Sequence, residues 1–338
     1  MNYQETNNFN YSCKWIEGGM VFGSDAIYIC CVNHKSSNGG WIPICNYSDY
    51  TEFNDELANI ILKKRDEIRI LNQTEKKYLN CRGCSQLVKS HWKKSKYLLN
   101  LISLTYSTYC NFKCSYCYLK HDKDIKRDNN PDFLPFIKSI IDSGILDKNT
   151  EIFWGGGEPL LFNNFKQIVK LLLKNNCYQI FNTNGSIYSD CVDEVLKSNQ
   201  GKIVCSIDAG LSATYQKIKG KSNYFDRVWE NIAKYSNKKN IFAKYILLKE
   251  NNNKANIINF IELCKHNGIT NVICDLNSMN ATVNNSICSG IAYMIKIARL
   301  NNIQISLSGI GIESLISEKS TNVNELLKKV FTQLKKYI

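Results

Sequence analysis

"LLNLISLTY" (98–106) is an apolar, β-rich run, and after three further residues it gives way to "CNFKCSYCY" (110–118), where three cysteines fall within eight residues. A strand that ends in three thiols decides how the rest of the chain is read. In an extended chain, residues four apart lie roughly 13 Å from one another, so Cys110 and Cys114 can share one inorganic centre only if the chain curls after Tyr109. A curled loop brings Cys110, Cys114 and Cys117 around a single centre, and thiolates are the ligands that iron-sulfur clusters use. Three ligands on a four-iron cluster leave one iron open for a substrate or cofactor. Two other readings of the same residues are a Cys3His zinc site completed by His121, and inert buried thiols.

Outward from this loop, short β-branched runs alternate with longer helical patterns. Strands are expected at 98–106, 150–156, 178–185, 201–208, 241–249, 270–277 and 302–309, with helical stretches such as "NNFKQIVKLLLKNN" and "NKANIINFIELCKHNG" between them. In "FIKSIIDSG" the apolar Phe136, Ile137, Ile140 and Ile141 keep i, i+3, i+4 spacing, and Gly144 makes a stop. Such alternation predicts an α/β fold with a parallel sheet, open or curled into a barrel, and six or seven units fall short of a full eight-unit barrel. Residues 1–97 read differently. They hold a Gly-containing β-hairpin, "GGMVFGSDAIYICC" (18–31), one helix within "FNDELANIILKKRDEIRILNQ", and six cysteines. The expected organisation is a small cysteine-rich domain (1–97), a parallel α/β core (98–310) and a helical tail (311–338).

The chain has 338 residues and 44% hydrophobic content, enough for a sizeable core. It opens on a polar stretch without the order of a secretory signal and has no apolar run of about 18 residues, so a cytoplasmic location without a membrane partner is expected. Fifteen cysteines is an odd number with uneven spacing, which argues against a secreted disulfide framework and for metal or redox chemistry. The net charge of +13 comes mostly from dispersed lysine and reads first as a solvated face, although it also suits an acidic substrate.

"CNFKCSYCY" resembles the CxxxCxφC loop of the radical S-adenosylmethionine (SAM) enzymes, with Tyr116 at the aromatic position. "WGGGEPL" (154–160) looks like their GGEP motif, and "NTNG" (182–185) and "SID" (206–208) resemble segments ending the third and fourth strands of that superfamily. The resemblance implies a partial (β/α)6-type TIM barrel, a 4Fe-4S cluster on Cys110, Cys114 and Cys117, and S-adenosylmethionine as cofactor. It places Tyr116, Gly156, Gly157, Glu158, Asn184, Ser206 and Asp208 around that cofactor. Gly156 and Gly157 let backbone approach the methionine part, Glu158 can accept from its ammonium group, and Ser206 and Asp208 offer acceptors to ribose or amine groups. Taken singly, Ser206 or Asp208 reads equally well as a cap of the next helix. The family often carries an Arg for the cofactor carboxylate where this chain has Lys219, which keeps the charge without the bidentate fork; a solvated lysine is the plainer reading of that residue.

Cys13, one of Cys30 and Cys31, and the pair Cys81 and Cys84 in "CRGC" follow an order that resembles the SPASM or Twitch auxiliary-cluster module, which here would precede the barrel. That likeness implies a second 4Fe-4S cluster; the same four thiols would also satisfy a tetrahedral zinc, and Cys45 could substitute for Cys30 or Cys31. The function implied is an oxidoreductase or maturase that forms a 5′-deoxyadenosyl radical for hydrogen abstraction from a carbohydrate-like or other small-molecule substrate. The auxiliary cluster would transfer electrons, and flavodoxin or ferredoxin would be the electron donor. Modification of a peptide or protein is the alternative. RNA modification and a non-catalytic iron-sulfur protein are further classes, the first marked by salt-sensitive RNA binding.

Overall fold

The computed structural model describes residues 9–23, 26–30, 43–74, 77–78, 81–82, 84, 86–92, 98–105, 108–117, 119, 132–277, 284–309 and 323–336. They divide into two compact units: residues 1–109, 126–156 and 162–179 fall in the first, and 110–125, 157–161 and 180–338 in the second.

The first unit begins with β1 (Phe9–Ser12), α1 (Lys14–Gly18), β2 (Gly19–Phe22), β3 (Ala26–Tyr28), β4 (Pro43–Asn46) and α2 (Asp55–Asn72). It continues with β5 (Val88–His91), β6 (Leu99–Leu104), α3 (Leu134–Asp142), β7 (Leu146–Trp154) and α4 (Phe165–Lys174). The expected hairpin is present, with β2 and β3 antiparallel and β4 added beside β3. The unforeseen feature is on the other side of β2, which pairs in parallel with β6, itself parallel to β7. All four residues of β2 are buried, as suits a strand with a neighbour on each side. Phe22 packs edge-on against Phe133 at 5.4 Å between ring centroids, which joins the hairpin to the chain entering α3. α2 starts where the Asn54 side chain accepts from the Leu57 N–H, and Asp55 and Glu56 sit in its positive first turn. From its inner face the buried Arg65 donates to the carbonyls of Glu17 and Gly19, while Arg69 pairs with Glu17 at 2.7 Å.

The second unit carries β8 (Tyr178–Thr183), α5 (Asp190–Lys197), β9 (Gly201–Ser206), α6 (Ser212–Lys219), α7 (Phe225–Lys234) and β10 (Ile241–Leu247). Then come α8 (Lys254–His266), β11 (Asn271–Leu276), α9 (Asn285–Leu300), β12 (Gln304–Leu307) and α10 (Val323–Leu334). Its strands lie in the order β8-β9-β10-β11-β12, and β9, β10, β11 and β12 pair in parallel. The fold class is therefore α/β with a mainly parallel sheet, each strand returning through a helix as the alternation predicted. Side chains alternate across the strands. Ala243, Tyr245, Val272 and Cys274 are buried on one face, where the Tyr245 ring meets Phe260 of α8 at 4.7 Å. The opposite face carries Ser206, Lys244, Ile273 and Ser306, which are aligned by register. Six cysteines outside the two thiol clusters, Cys177 of the first unit and Cys191, Cys205, Cys264, Cys274 and Cys288 of the second, are all buried.

Candidate cofactor site

The three thiols leave β-structure as the sequence requires: residues 110–117 form irregular backbone and a turn, and the Cys117 N–H donates to the Cys114 carbonyl at 3.3 Å. Cys110 receives two donors, the Phe112 N–H at 3.5 Å and the Asn184 amide at 3.7 Å. The same amide donates to Asn111 Oδ1 at 2.9 Å, and Asn111 in turn donates to Ser186 Oγ. Asn184, at the end of β8, thus fixes the start of the loop. Burial pushes the Cys110 thiol up to about 11 despite those donors, with Glu158 and Cys114 adding to the effect. As a thiolate it requires a cation to bind, and soft sulfur ligands with N–H donors turned onto them suit an iron-sulfur cluster.

Glu158 is 1% exposed. Its carboxylate accepts from Thr183 Oγ1 at 2.7 Å, from the Asn184 N–H at 2.8 Å and from the Leu160 N–H at 3.3 Å. These contacts tie the GGGEP turn to the end of β8. Burial pushes the carboxyl up to about 7 against the pull of those three donors. Gly157 is half-buried, and Gly156, also half-buried, holds φ at +87°, a conformation that favours glycine.

Neither Ser206 nor Asp208 caps a helix. The residue before α6 is Leu211, and no side chain caps it. Ser206 is partly exposed on the face away from the helices. Asp208 is fully buried with φ at +60°. One of its carboxylate oxygens accepts from the Ile246 N–H at 2.6 Å; the other accepts from both the Tyr116 hydroxyl and the Lys219 ammonium. Lys219 also donates to the Tyr116 oxygen at 2.8 Å. The reading of Lys219 as solvated is corrected: its side chain is 1% exposed and that of Asp208 0%. A lysine so deeply placed needs a counter-charge, and Asp208 supplies it. Burial acts to lower the Lys219 pKa, but Asp208 outweighs it and the pKa is raised.

Sequence reasoning missed a second charged pair in this unit. Lys244 on β10 reaches Asp275 on β11 at 2.8 Å, with side chains 17% and 2% exposed. Lys244 lies in register with Ser206, so hydroxyl, ammonium and carboxylate occupy the same face of neighbouring strands. The available signal was a Lys and an Asp set at inward positions of otherwise apolar runs.

In the first unit, Cys13 and Cys81 are buried in one apolar cluster, against which Cys30 packs together with Tyr28 and Tyr78. Burial pushes Cys13 up to about 11, and Cys81 and Cys84 are near enough to add to that shift. Cys81 and Cys84 belong to a turn closed by the Cys84 N–H on the Cys81 carbonyl at 3.1 Å. Cys45 sits on β4, where burial pushes its thiol up to about 11, with Asp49 adding to the effect and the Ile27 backbone opposing it. Cys31 and His121 lie outside the described residues. Among the described residues no three Cys, His, Asp or Glu side chains stand at single-ion geometry. Cluster ligands sit at the corners of a larger core than ligands meeting on one ion.

Residues 104–264 match the Radical SAM superfamily. The chain carries a radical SAM domain. Such a domain implies a 4Fe-4S cluster and S-adenosylmethionine, and the thiol loop with its amide donors fits the cluster. A putative glycyl-radical enzyme activating enzyme of Methanocaldococcus jannaschii is 36% identical over 92 residues, 27% of this chain and 34% of that protein. The radical SAM cyclopropyl synthase TigE of Paramaledivibacter caminithermalis is 27% identical over 235 residues, 62% of this chain and 44% of that one. The chain therefore spans between 34% and 44% of the length of these two curated relatives. Among solved structures, Streptococcus suis SuiB bound to S-adenosylmethionine aligns with a TM-score of 0.47 at 14% identity, covering 78% of this chain and 58% of that one. No helix among the described residues is long and apolar enough to cross a membrane.

Proposed function

We propose that the chain binds a 4Fe-4S cluster through Cys110, Cys114 and Cys117 and cleaves S-adenosylmethionine reductively to initiate radical chemistry on a polar, hydroxyl-bearing small molecule. The observation that carries the first part is the loop itself: three thiols in eight residues, with Asn184 and Phe112 donating to Cys110. The bound cluster and cofactor would supply the one-electron cleavage that yields a 5′-deoxyadenosyl radical, the hydrogen abstractor. The protein's own groups position and exclude. Gly156 and Gly157 admit the methionine part, Glu158 holds their turn against β8, and Tyr116 shapes the loop beside the thiols. In this reading Cys13, Cys30, Cys81 and Cys84 hold an auxiliary cluster that takes an electron from the substrate.

The substrate class rests on the face carrying Ser206, Lys244 and Asp275. A Lys–Asp pair is neutral as a unit yet offers both donor and acceptor, which matches vicinal hydroxyl or amino groups better than an apolar surface. After anaerobic reconstitution and reduction, wild type is expected to release 5′-deoxyadenosine and Cys114→Ala none; release by the variant overturns the cluster assignment. A low-molecular-weight cell fraction is expected to raise release above the uncoupled level, and Lys244→Gln to blunt that rise. Stimulation by a peptide fraction alone overturns the substrate class in favour of peptide modification.

A further inference from the structure

The family resemblance gives Lys219 to the cofactor carboxylate and Asp208 to its ribose or amine, but the geometry points elsewhere. We infer that Tyr116, Asp208 and Lys219 form a closed latch that holds the cluster-binding loop in its ligating shape before iron arrives, and that Lys219 is a positioning residue rather than a cofactor contact. The inference rests on the proposed function, since it concerns how the loop is prepared.

The latch is anchored on both sides. Asp208 is fixed by the Ile246 N–H on its carboxylate and by Asn251 Nδ2, which donates to its carbonyl at 2.8 Å. On the loop side, two backbone hydrogen bonds reach the last turn of α6. The Lys113 N–H donates to the Lys219 carbonyl at 3.1 Å and the Ser115 N–H to the Ile218 carbonyl at 2.8 Å. Loop amides thus satisfy the terminal carbonyls that a helix end leaves without partners. Gly220 ends α6 in the left-handed conformation, and a Cβ there would lie 2.7 Å from the Lys113 carbonyl oxygen, so the loop closes against bare backbone. Phe112 packs edge-on against Tyr215 of α6 at 6.3 Å and Tyr224 at 5.2 Å.

Within this frame, Lys219 couples α6 to Asp208 and to Tyr116, one of the two residues between Cys114 and Cys117. Its ammonium is buried at 1% exposure, and its hydrogen bonds go to the Tyr116 oxygen and the Asp208 carboxylate. Lysine suits this place better than arginine. A compact ammonium can serve a carboxylate and a phenol in different directions, whereas a planar fork is built for one face. Where the family often carries an Arg, this chain thus has a Lys engaged by Asp208 and Tyr116.

The test is hydrogen exchange at the Lys113 and Ser115 amides, in cluster-free protein and after anaerobic reconstitution, for wild type, Tyr116→Phe and Lys219→Met. S-adenosylmethionine affinity of the reconstituted proteins is measured beside it. Both variants are expected to speed exchange at these amides about tenfold or more in the cluster-free protein, with the β10 amides still protected. If either folded variant exchanges within twofold of wild type, the latch is overturned. That holds also if Lys219→Met only weakens S-adenosylmethionine binding, which would restore Lys219 as a cofactor contact. Should Lys219→Met expose β10 and prove globally unfolded, Tyr116→Phe decides alone. Because the exchange is read without cluster or cofactor, its outcome is independent of whether S-adenosylmethionine is cleaved.

Discussion

Glu158 gives a prediction whose sign runs against habit, because replacing this buried carboxyl is expected to stabilise the cluster-free protein at alkaline pH. Burial raises its pKa from 4.5 to about 7. A folded-state pKa above the unfolded one means that the folded state holds the proton longer. Stability from this group is complete below pH 4.5 and is lost as pH rises through about 7. At 1.36 kcal/mol per pH unit the interval corresponds to about 3 kcal/mol. The proton has a defined place. Asn184 offers only an N–H to one oxygen, but the Thr183 hydroxyl facing the other can rotate from donor to acceptor, so the acid proton belongs on the Thr183 side. Glu158→Gln keeps that neutral arrangement, with its amide NH2 toward Thr183 and its carbonyl toward Asn184, and loses only the long contact from the Leu160 N–H at 3.3 Å. The variant should match wild type near pH 4.5 and exceed it by up to about 3 kcal/mol at pH 8. Urea unfolding of cluster-free, fully reduced protein at several pH values measures the difference. A difference that stays constant with pH to within about 0.5 kcal/mol, or a variant less stable at pH 8, would refute the reasoning.

Gly220→Ala should destabilise the second unit by about 1–2 kcal/mol from the left-handed conformation alone, and more where its Cβ meets Lys113, as read by urea unfolding. An unchanged midpoint would remove the close approach from the account. A variant with Cys110, Cys114 and Cys117 all changed to Ala should retain about four irons per chain if the N-terminal cysteines hold a cluster. Iron, sulfide and zinc analysis reads this directly, and a variant with no iron or with zinc only would overturn the auxiliary cluster.

The strands from β6 onward were legible because β-branched runs alternate with helical periods, and the cofactor loop because thiol spacing is restrictive, whereas β1, β4 and β5 carry no such pattern. Other features depend on partners that sequence does not bring together. Lys219 reads as solvated because lysines usually are. What buries it is Asp208 on the preceding strand end and Tyr116, 103 residues away. Lys244 and Asp275 look like ordinary polar positions until parallel register places them side by side. Glu158 carries the motif that suggests a cofactor contact, yet the end of β8 takes its oxygens. The parallel pairing of β2 with β6 was hidden for a different reason. A four-residue strand flanked by glycines signals a hairpin, and parallel pairing comes only through a long connection that local pattern does not report.

The central claim is that the loop from Cys110 to Cys117 holds a cluster with one iron open to S-adenosylmethionine. Electron paramagnetic resonance of the dithionite-reduced, reconstituted protein, with and without S-adenosylmethionine, tests it most directly. The expected result is a reduced-cluster signal that changes shape when S-adenosylmethionine is added and whose responsive component is absent from Cys114→Ala. A spectrum indifferent to S-adenosylmethionine, or a response that survives in Cys114→Ala, would contradict the assignment.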